Sequence, residues 1–552
     1  MFLHRNSGYR WVYALLTLLI LGGVPVAPAT AMTGVEMQAI LDESIMALLT
    51  GQPFSPALEQ QQAALRKSFE AGAVSKARLI AMVEKSMMPM LDAHQDKTTV
   101  DNFQTLPGRV EALLSPHMSW EEVKAAGWRI ATPLIHESIK DLLTGRPFSP
   151  DLEKKQLVVR KMFEAGLITK PEAIAMVEGA MLPILEHHRT SRYILQEIPE
   201  RVEALLAPYM TWEEVEAVAW KMGASLIPDG QQMVLTIGTL APPGTPWINI
   251  PETVLLPRIA KLSDNKVVVK VYGGGVMGED TEILDKMDAA RLDGCGCTAL
   301  GILKASPELS TLLMPGLFNN YDEVDYIYEK FEKKLDMAFE DKGYILVALL
   351  DTGDFYLFSK NKINSLADLK KQRALTWFGA PENALFEALG INATHVSVPE
   401  VVSALSMGQA DTNLAPAAWM LGMQAYQYMS FYYNPPLLYS PTAVFVSGRT
   451  PDRVRKQTGM SANFAINVTE ALVNEIRKLE PEWKEQIRSY EEKSLKAFET
   501  KCGIKAMTFS AEDQKIIKKA NSIVEQKIAG RVFPENLLKE IKKALAEYRQ
   551  QN

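Results

Sequence analysis

Val271 to Met287 reads VYGGGVMGEDTEILDKM. It joins a strand-like run, Lys266-VVVKVY, to a helix-like one, EDTEILDKMDAARLD, through Gly273, Gly275 and Gly278. Strand, glycine turn and helix at GxGxxG spacing form the context of a dinucleotide-binding turn. The charges oppose that reading. Pyrophosphate sits at the N-terminus of the following helix, where free N–H groups and the dipole favour an anion. Here that turn carries Glu279, Asp280 and Glu282, which stabilise a bare helix start and repel a phosphate. The strand is also the second of its region, whereas the fingerprint belongs to the first. A nucleotide-dependent oxidoreductase is therefore the weakest of the alternatives, and no cofactor is expected.

Working outward, strands and helices alternate. Gln232-MVLTIGTL is strand-like and Ile248 to Leu262 helical. Further strand signals stand at Gly294-CGCTALGI, Tyr344-ILVALL, Phe355-YLFS, Ala374-LTWF, His395-VSV and Thr442-AVFVS. Alternation of this kind implies an α/β architecture with largely parallel pairing. From Pro451 the chain is helical with Lys and Glu at i,i+4 spacing, as a solvated face would be.

The chain of 552 residues is too long for one core. With 47% hydrophobic and 23% charged residues it is globular in composition, and a net charge of −7 gives no case for nucleic acid. Arg5 and Arg10, the apolar run Trp11 to Val24 and the sequence Ala29-Thr-Ala31 have the three parts of a secretory signal. Cleavage is expected after Ala31, with the mature chain exported to the periplasm. Cys295, Cys297 and Cys502 are too few for a disulfide framework. The Cys295-Gly-Cys297 pair is read as small buried thiols rather than a redox or metal site.

Residues 32–228 are helical in pattern, and they repeat. LLTGQPFSP from Leu48 returns as LLTGRPFSP from Leu142, and Phe69-EAGAVSK as Phe163-EAGLITK. Arg109-VEALLSPHMSWEEV returns as Arg201-VEALLAPYMTWEEV. A whole module is thus duplicated, with copies at 32–130 and 131–228. Ser119 and Thr211, each followed by Trp-Glu-Glu, have the form of N-caps with acidic first turns. Glu186, His187 and His188 could suggest a metal, but neighbours on a helix do not share a face, and the first copy offers only His94. No metal site and no catalytic constellation is expected, so the module reads as a scaffold or docking unit.

Six segments of the second half form an ordered series: Thr239-LAPPGTPW, VYGGGVMGEDTEILDKM with Ala290-RLDG, Leu313-MPGLFNNYDEVDYIYEK, Ser365-LADLKKQRALTWFGAPENALFEALGI and Ser403-ALSMGQADTNLAP. The series resembles the substrate-binding subunit of tripartite ATP-independent periplasmic (TRAP) transporters over about Val234 to Gln550. The resemblance implies a two-lobed α/β clamp with mixed sheets over 232–552, the second lobe at roughly 354–440, preceded by the all-α tandem repeat. It implies a receptor for a small-molecule solute, not an enzyme, with TRAP membrane subunits as partners. It also puts the glycine turn at the rim of the cleft, where glycine lets backbone approach closely.

Most members of that family hold a carboxylate with an arginine in a D-L-K-G-L-K-I-R segment. Laid on Asp368-LKKQRALTW, the arginine position falls on Leu375. Arg373 lies two residues earlier and is read as an end-of-strand charge; a carboxylate receptor built on Arg373 is the runner-up. After Asp411 the family's acidic and amide residues are here Leu414 and Ala415. Aromatics are abundant instead. The resemblance places Trp247, Trp377 and Trp419 at the cleft, and Phe318, Phe355, Leu375, Asn413 and Tyr439 complete the expected ligand set. Such a pocket favours an apolar, aromatic or amphipathic ligand, with Asn413, Asp351 and Asp354 as candidates to orient a polar end. Similar subunits with Trp in the arginine segment imply a hydrophobic solute and a helical partner protein. By that analogy the repeats would serve docking or self-association. A ligand-free interaction or sensory protein is the further alternative.

Overall fold

The apolar runs Met233-VLTIGT and Val267-VVKVY pair as parallel strands in the computed structural model of the protein. β1 (Met233–Thr239) lies between β2 (Val267–Tyr272) and β3 (Gly294–Cys297), with Leu235 opposite Val269 and Ile237 opposite Val271. The structure describes residues 32–49, 52–71, scattered positions from 74 to 85, 120–164, 169–190, 194, 198–202 and 211–551. The expected signal peptide with its cut after Ala31, His94, and the repeat segment from Arg109 to Ser119 lie outside the described residues.

The chain divides into two compact units, Met1–Met222 and Gly223–Asn552. Described helices of the first are α1 (Gly34–Leu49), α2 (Pro56–Glu70), α3 (Trp120–Leu143), α4 (Pro150–Glu164) and α5 (Lys170–His187), and α6 (Trp212–Ser225) runs across the boundary. The copies repeat their hydrogen bonds as well as their sequence. Gln62 Nε2 donates to Ser44 Oγ at 2.8 Å, and Gln156 Nε2 to Ser138 Oγ at 2.9 Å. Each serine in turn donates to a carbonyl one helical turn back, that of Ile40 or of Leu134. The Ser of each PFSP loop accepts from the N–H three residues on, in Leu58 and in Leu152, as an N-cap does.

The second unit is built on one continuous nine-stranded sheet ordered β2-β1-β3-β8-β4-β7-β5-β6, with β9 beside β8. After β1 come α7 (Pro246–Ile250), a π-turn (Pro251–Leu255) and α8 (Leu256–Leu262); after β2, α9 (Asp280–Asp288). β3 leads to α10 (Ala299–Ala305) and α11 (Tyr321–Asp341), then to β4 (Tyr344–Ser359). The second lobe follows with α12 (Leu366–Leu369), β5 (Ala374–Thr376), α13 (Ala380–Ala388), β6 (Ala393–His395), α14 (Val401–Ser406), β7 (Thr412–Pro416) and α15 (Ala417–Gly422). β8 (Phe431–Ser447) returns to the first lobe, and α16 (Thr450–Thr458), α17 (Ala462–Ala497), β9 (Lys505–Met507), α18 (Ala511–Ile528) and α19 (Glu535–Gln551) complete the unit.

Two strands join the lobes. β8 pairs antiparallel with β3 through Ala443–Val446 and with β4 along its length, while β4 pairs with β7 through Phe355–Ser359. The ladder is irregular between Asp351 and Gly353 and again between Phe355 and Leu357. Bulges bend a strand and raise its twist, so the sheet turns where it passes from lobe to lobe.

Four expectations change. The signals at Tyr344 and Phe355 belong to one strand, β4. The Gly294 segment is strand only to Cys297, because Thr298 begins the next helix as its N-cap. The C-terminal helices are not merely solvated: α17 buries Trp483, Ile487 and Glu491. Cys295 and Cys297 are also not free thiols. They are joined in a disulfide on one face of β3, the face that strand alternation assigns to both.

Candidate ligand-binding cavity

The hinge strands carry a buried polar cluster. Asp351 accepts from Tyr439 Oη at 2.6 Å and from Arg488 Nε at 2.7 Å. Arg488 reaches over the Tyr321 ring and grips Asp325 with both terminal nitrogens, at 2.6 and 2.7 Å. Asp351 is thus committed to an ion pair within the protein. Glu491 of α17 accepts from the N–H groups of Ala417 and Ala418, both at 2.8 Å, and so caps α15. Burial raises the Glu491 carboxyl to about 8, with the charges of Asp354 and Asp351 adding to the rise. Burial and then Asp351 raise Asp354 to about 7.

Beside this cluster lies a cavity of about 1080 Å³, counting the part open to solvent. No charged side chain lines it. Four tryptophans do: Trp247, Trp377, Trp419 and Trp483. The indole N–H of Trp247 donates to Asp351 O at 2.8 Å, that of Trp377 to Leu414 O at 2.7 Å, and that of Trp483 to Pro246 O at 3.0 Å. With these donors satisfied, the three indoles offer a ligand mainly their apolar faces. Trp377 and Trp419 lie with ring centroids 4.9 Å apart. Glu382, in the first turn of α13, accepts from the N–H groups of Trp377 and Phe378 at 2.8 Å and fixes the loop that presents Trp377.

Three residues of the expected ligand set, Trp247, Trp377 and Trp419, line this wall. Phe318, Phe355, Leu375, Asn413 and Tyr439 do not. Leu375 is core, beside a fully buried Asn413 whose Oδ1 has no hydrogen-bond partner. Phe355 backs Trp377 at 5.8 Å, and Phe318 meets Tyr439 edge-on at 5.4 Å. Arg373 donates to both oxygens of Asp411, at 2.9 and 2.8 Å, with its side chain 61% exposed. It does not reach the cavity. Sequence reasoning missed Trp483, which stands among charges in Glu480-Pro-Glu-Trp-Lys. It also missed Thr352 and Thr442, whose hydroxyls carry no motif.

The glycine turn sits at the rim. Gly274 N–H donates to Ala241 O and Gly275 N–H to Thr239 O, which folds the turn over the end of β1. Gly275 has φ +73°, and a Cβ there would lie 3.4 Å from Pro399 of the second lobe. Next to it Glu279 Oε2 accepts from Val398 N–H at 2.7 Å. The acidic residue that repels a phosphate thus ties the two lobes together. Asp280 and the two cysteines come within reach of one another, but sulfurs joined in a disulfide offer a metal no thiolate.

A family model described as bacterial extracellular solute-binding protein, family 7 (DctP), matches residues 237–531. The chain belongs to this family. Family 7 proteins are solute-binding receptors rather than enzymes, and they act outside the cytoplasm. Among described residues, no helix is long and apolar enough to cross a membrane. Over 190 residues this family 7 chain is 27% identical to the uncharacterized protein y4mM of Sinorhizobium fredii, covering 33% of itself and 34% of that relative. It thus spans about a third of the length of that curated relative. A TRAP periplasmic solute-binding protein of Haemophilus influenzae RdAW with bound L-gulonate has a similar fold, with TM-score 0.50 and 15% identity over 57% of this chain and all of that one. One from Desulfovibrio salexigens with bound orotic acid matches at TM-score 0.50 and 16% identity, over 57% of this chain and 99% of that one.

Proposed function

We propose that this family 7 protein is an extracytoplasmic receptor that delivers an apolar or amphipathic solute to TRAP-type membrane subunits. The observation that carries the reading is a cavity walled by tryptophan faces with no charged side chain. An anionic solute would lose its hydration there and gain no cation. The related proteins bind L-gulonate and orotic acid, but the arginine position of the resemblance is Leu375 here, and Arg373 is occupied by Asp411. Trp247, Trp377 and Trp419 are the proposed ligand contacts. The mature chain is proposed to begin at Met32, and the helical repeats to serve docking or self-association.

Native mass spectrometry of the exported protein, followed by solvent extraction, tests the reading. A released lipid-like or aromatic molecule is the expected result. A sugar acid or dicarboxylate would overturn it.

A further inference from the structure

The cavity does not end at the cleft. Part of its wall is an inner face of the first lobe, where Leu235 and Ile237 of β1, Val269 and Val271 of β2, and Val444 and Val446 of β8 point to one side of the sheet. Opposite them stand Leu256 of α8 and Leu472 and Ile476 of α17. A sheet face and the helices over it ordinarily close on each other at interior density. Here Ile237, Val269, Val271, Val444, Leu256 and Ile476 are only half-buried, because they look onto open space.

The covering helix explains the gap. Between Pro246 and Leu262 it carries Pro246, Pro251 and Pro257, and its middle turn is π rather than α. Proline inside a helix removes a hydrogen bond and crowds the preceding turn, and π-turns widen helices at functional sites. Pro251 and Leu255 of that turn form part of the wall.

The hydroxyls of the wall share one property: their protons are already used. Thr352 Oγ1 donates to Pro441 O at 2.9 Å, which leaves Thr442 to donate in the 2.7 Å hydroxyl pair between them. Thr239 Oγ1 donates to Gly296 O, and Thr298 Oγ1 to Asp280 Oδ2, both at 2.7 Å. A hydroxyl that has given its proton can only accept.

We infer that the ligand is a single-chain amphiphile with an uncharged hydroxyl head, held at Thr352 and Thr442, and a hydrocarbon tail lodged inside the first lobe between the sheet and α8/α17. An alcohol supplies the donor those threonines lack. A carboxylate supplies only acceptors and brings a charge the wall cannot compensate. The inference rests on the apolar-receptor reading and specifies it.

The test titrates octanol, dodecanol, hexadecanol and hexadecanoate into the delipidated full-length mature protein, read by tryptophan fluorescence. Each methylene that enters the lobe should tighten binding roughly fourfold, so hexadecanol should far exceed octanol. Hexadecanoate should bind more weakly than hexadecanol. Val269→Phe should abolish the gain from chain length while octanol still binds. Thr442→Val should weaken every alcohol and leave the chain-length dependence intact. Equal affinity for octanol and hexadecanol in the unaltered protein would overturn the tail assignment while leaving the apolar-receptor reading standing. Hexadecanoate binding as tightly as hexadecanol would overturn the head assignment in the same way. Binding of no alkyl probe at all would overturn the inference in both its parts, while an aromatic molecule released on solvent extraction would still satisfy the reading beneath it.

Discussion

Asp351 is fully buried, and Arg488 is the cation that pairs with it. Removing one partner of a buried pair leaves an uncompensated charge, which costs about 3–5 kcal/mol. Arg488→Met should therefore lower the melting temperature strongly, and restoring neutrality with Asp351→Asn in the same chain should recover part of the loss. If the single variant melts like the parent, the pair contributes nothing to the hinge. Asp354 gives the opposite pH signature from an ordinary paired carboxylate. Its folded value, about 7, lies above the usual 3.8, so the folded chain holds a proton that the unfolded chain has released. Its contribution is fully present at acid pH and falls as pH rises from about 4 to about 7. Asp354→Asn should flatten that part of the stability profile, as thermal melts across the window would reveal.

At the scale of elements the glycine turn acts as a clasp. Glu279 accepts from Val398 N–H across the cleft, and Gly275 leaves room for Pro399. A hydrogen bond to a charged group contributes about 1.5–3 kcal/mol, so Glu279→Ala should speed release of a bound probe roughly tenfold or more in stopped flow. Gly275→Val, strained at φ +73° and crowding Leu240 and Pro399, should act in the same direction. Unchanged release in both would mean that the turn does not hold the lobes. The strand positions of this lobe were legible because Lys266-VVVKVY and Met233-VLTIGT are short apolar runs rich in β-branched residues. The open space behind them was not, since the same valines appear in sequence whether their face is packed or empty. The first half of β8 was hidden by Asn434-Pro435-Pro436, which reads as a break although the strand continues through it. Trp247, Trp377 and Trp419 came forward through family motifs. Trp483 required the tertiary placement of α17 over Pro246.

At the scale of the whole molecule, the chain combines a repeated helical unit with a receptor unit, divided at Met222–Gly223. Sequence repetition marked the first unit, and its role was not legible because repetition specifies a shared fold and no chemistry. Each unit has its own buried apolar residues, such as Leu41, Leu58 and Leu152 in the first and Ile283, Phe355 and Phe445 in the second. Units with separate cores unfold as separate transitions unless a large interface couples them. Calorimetry of the mature protein should therefore resolve two transitions. A ligand that binds one native unit stabilises that unit alone, by about 2.7 kcal/mol when present at a hundred times its dissociation constant. An alkyl alcohol at saturating concentration should thus raise one transition, that of residues 223–552, and leave the other in place. A single transition that moves as a whole would mean that the helical repeats and the receptor fold as one cooperative body, and that ligand occupancy is communicated to the repeats.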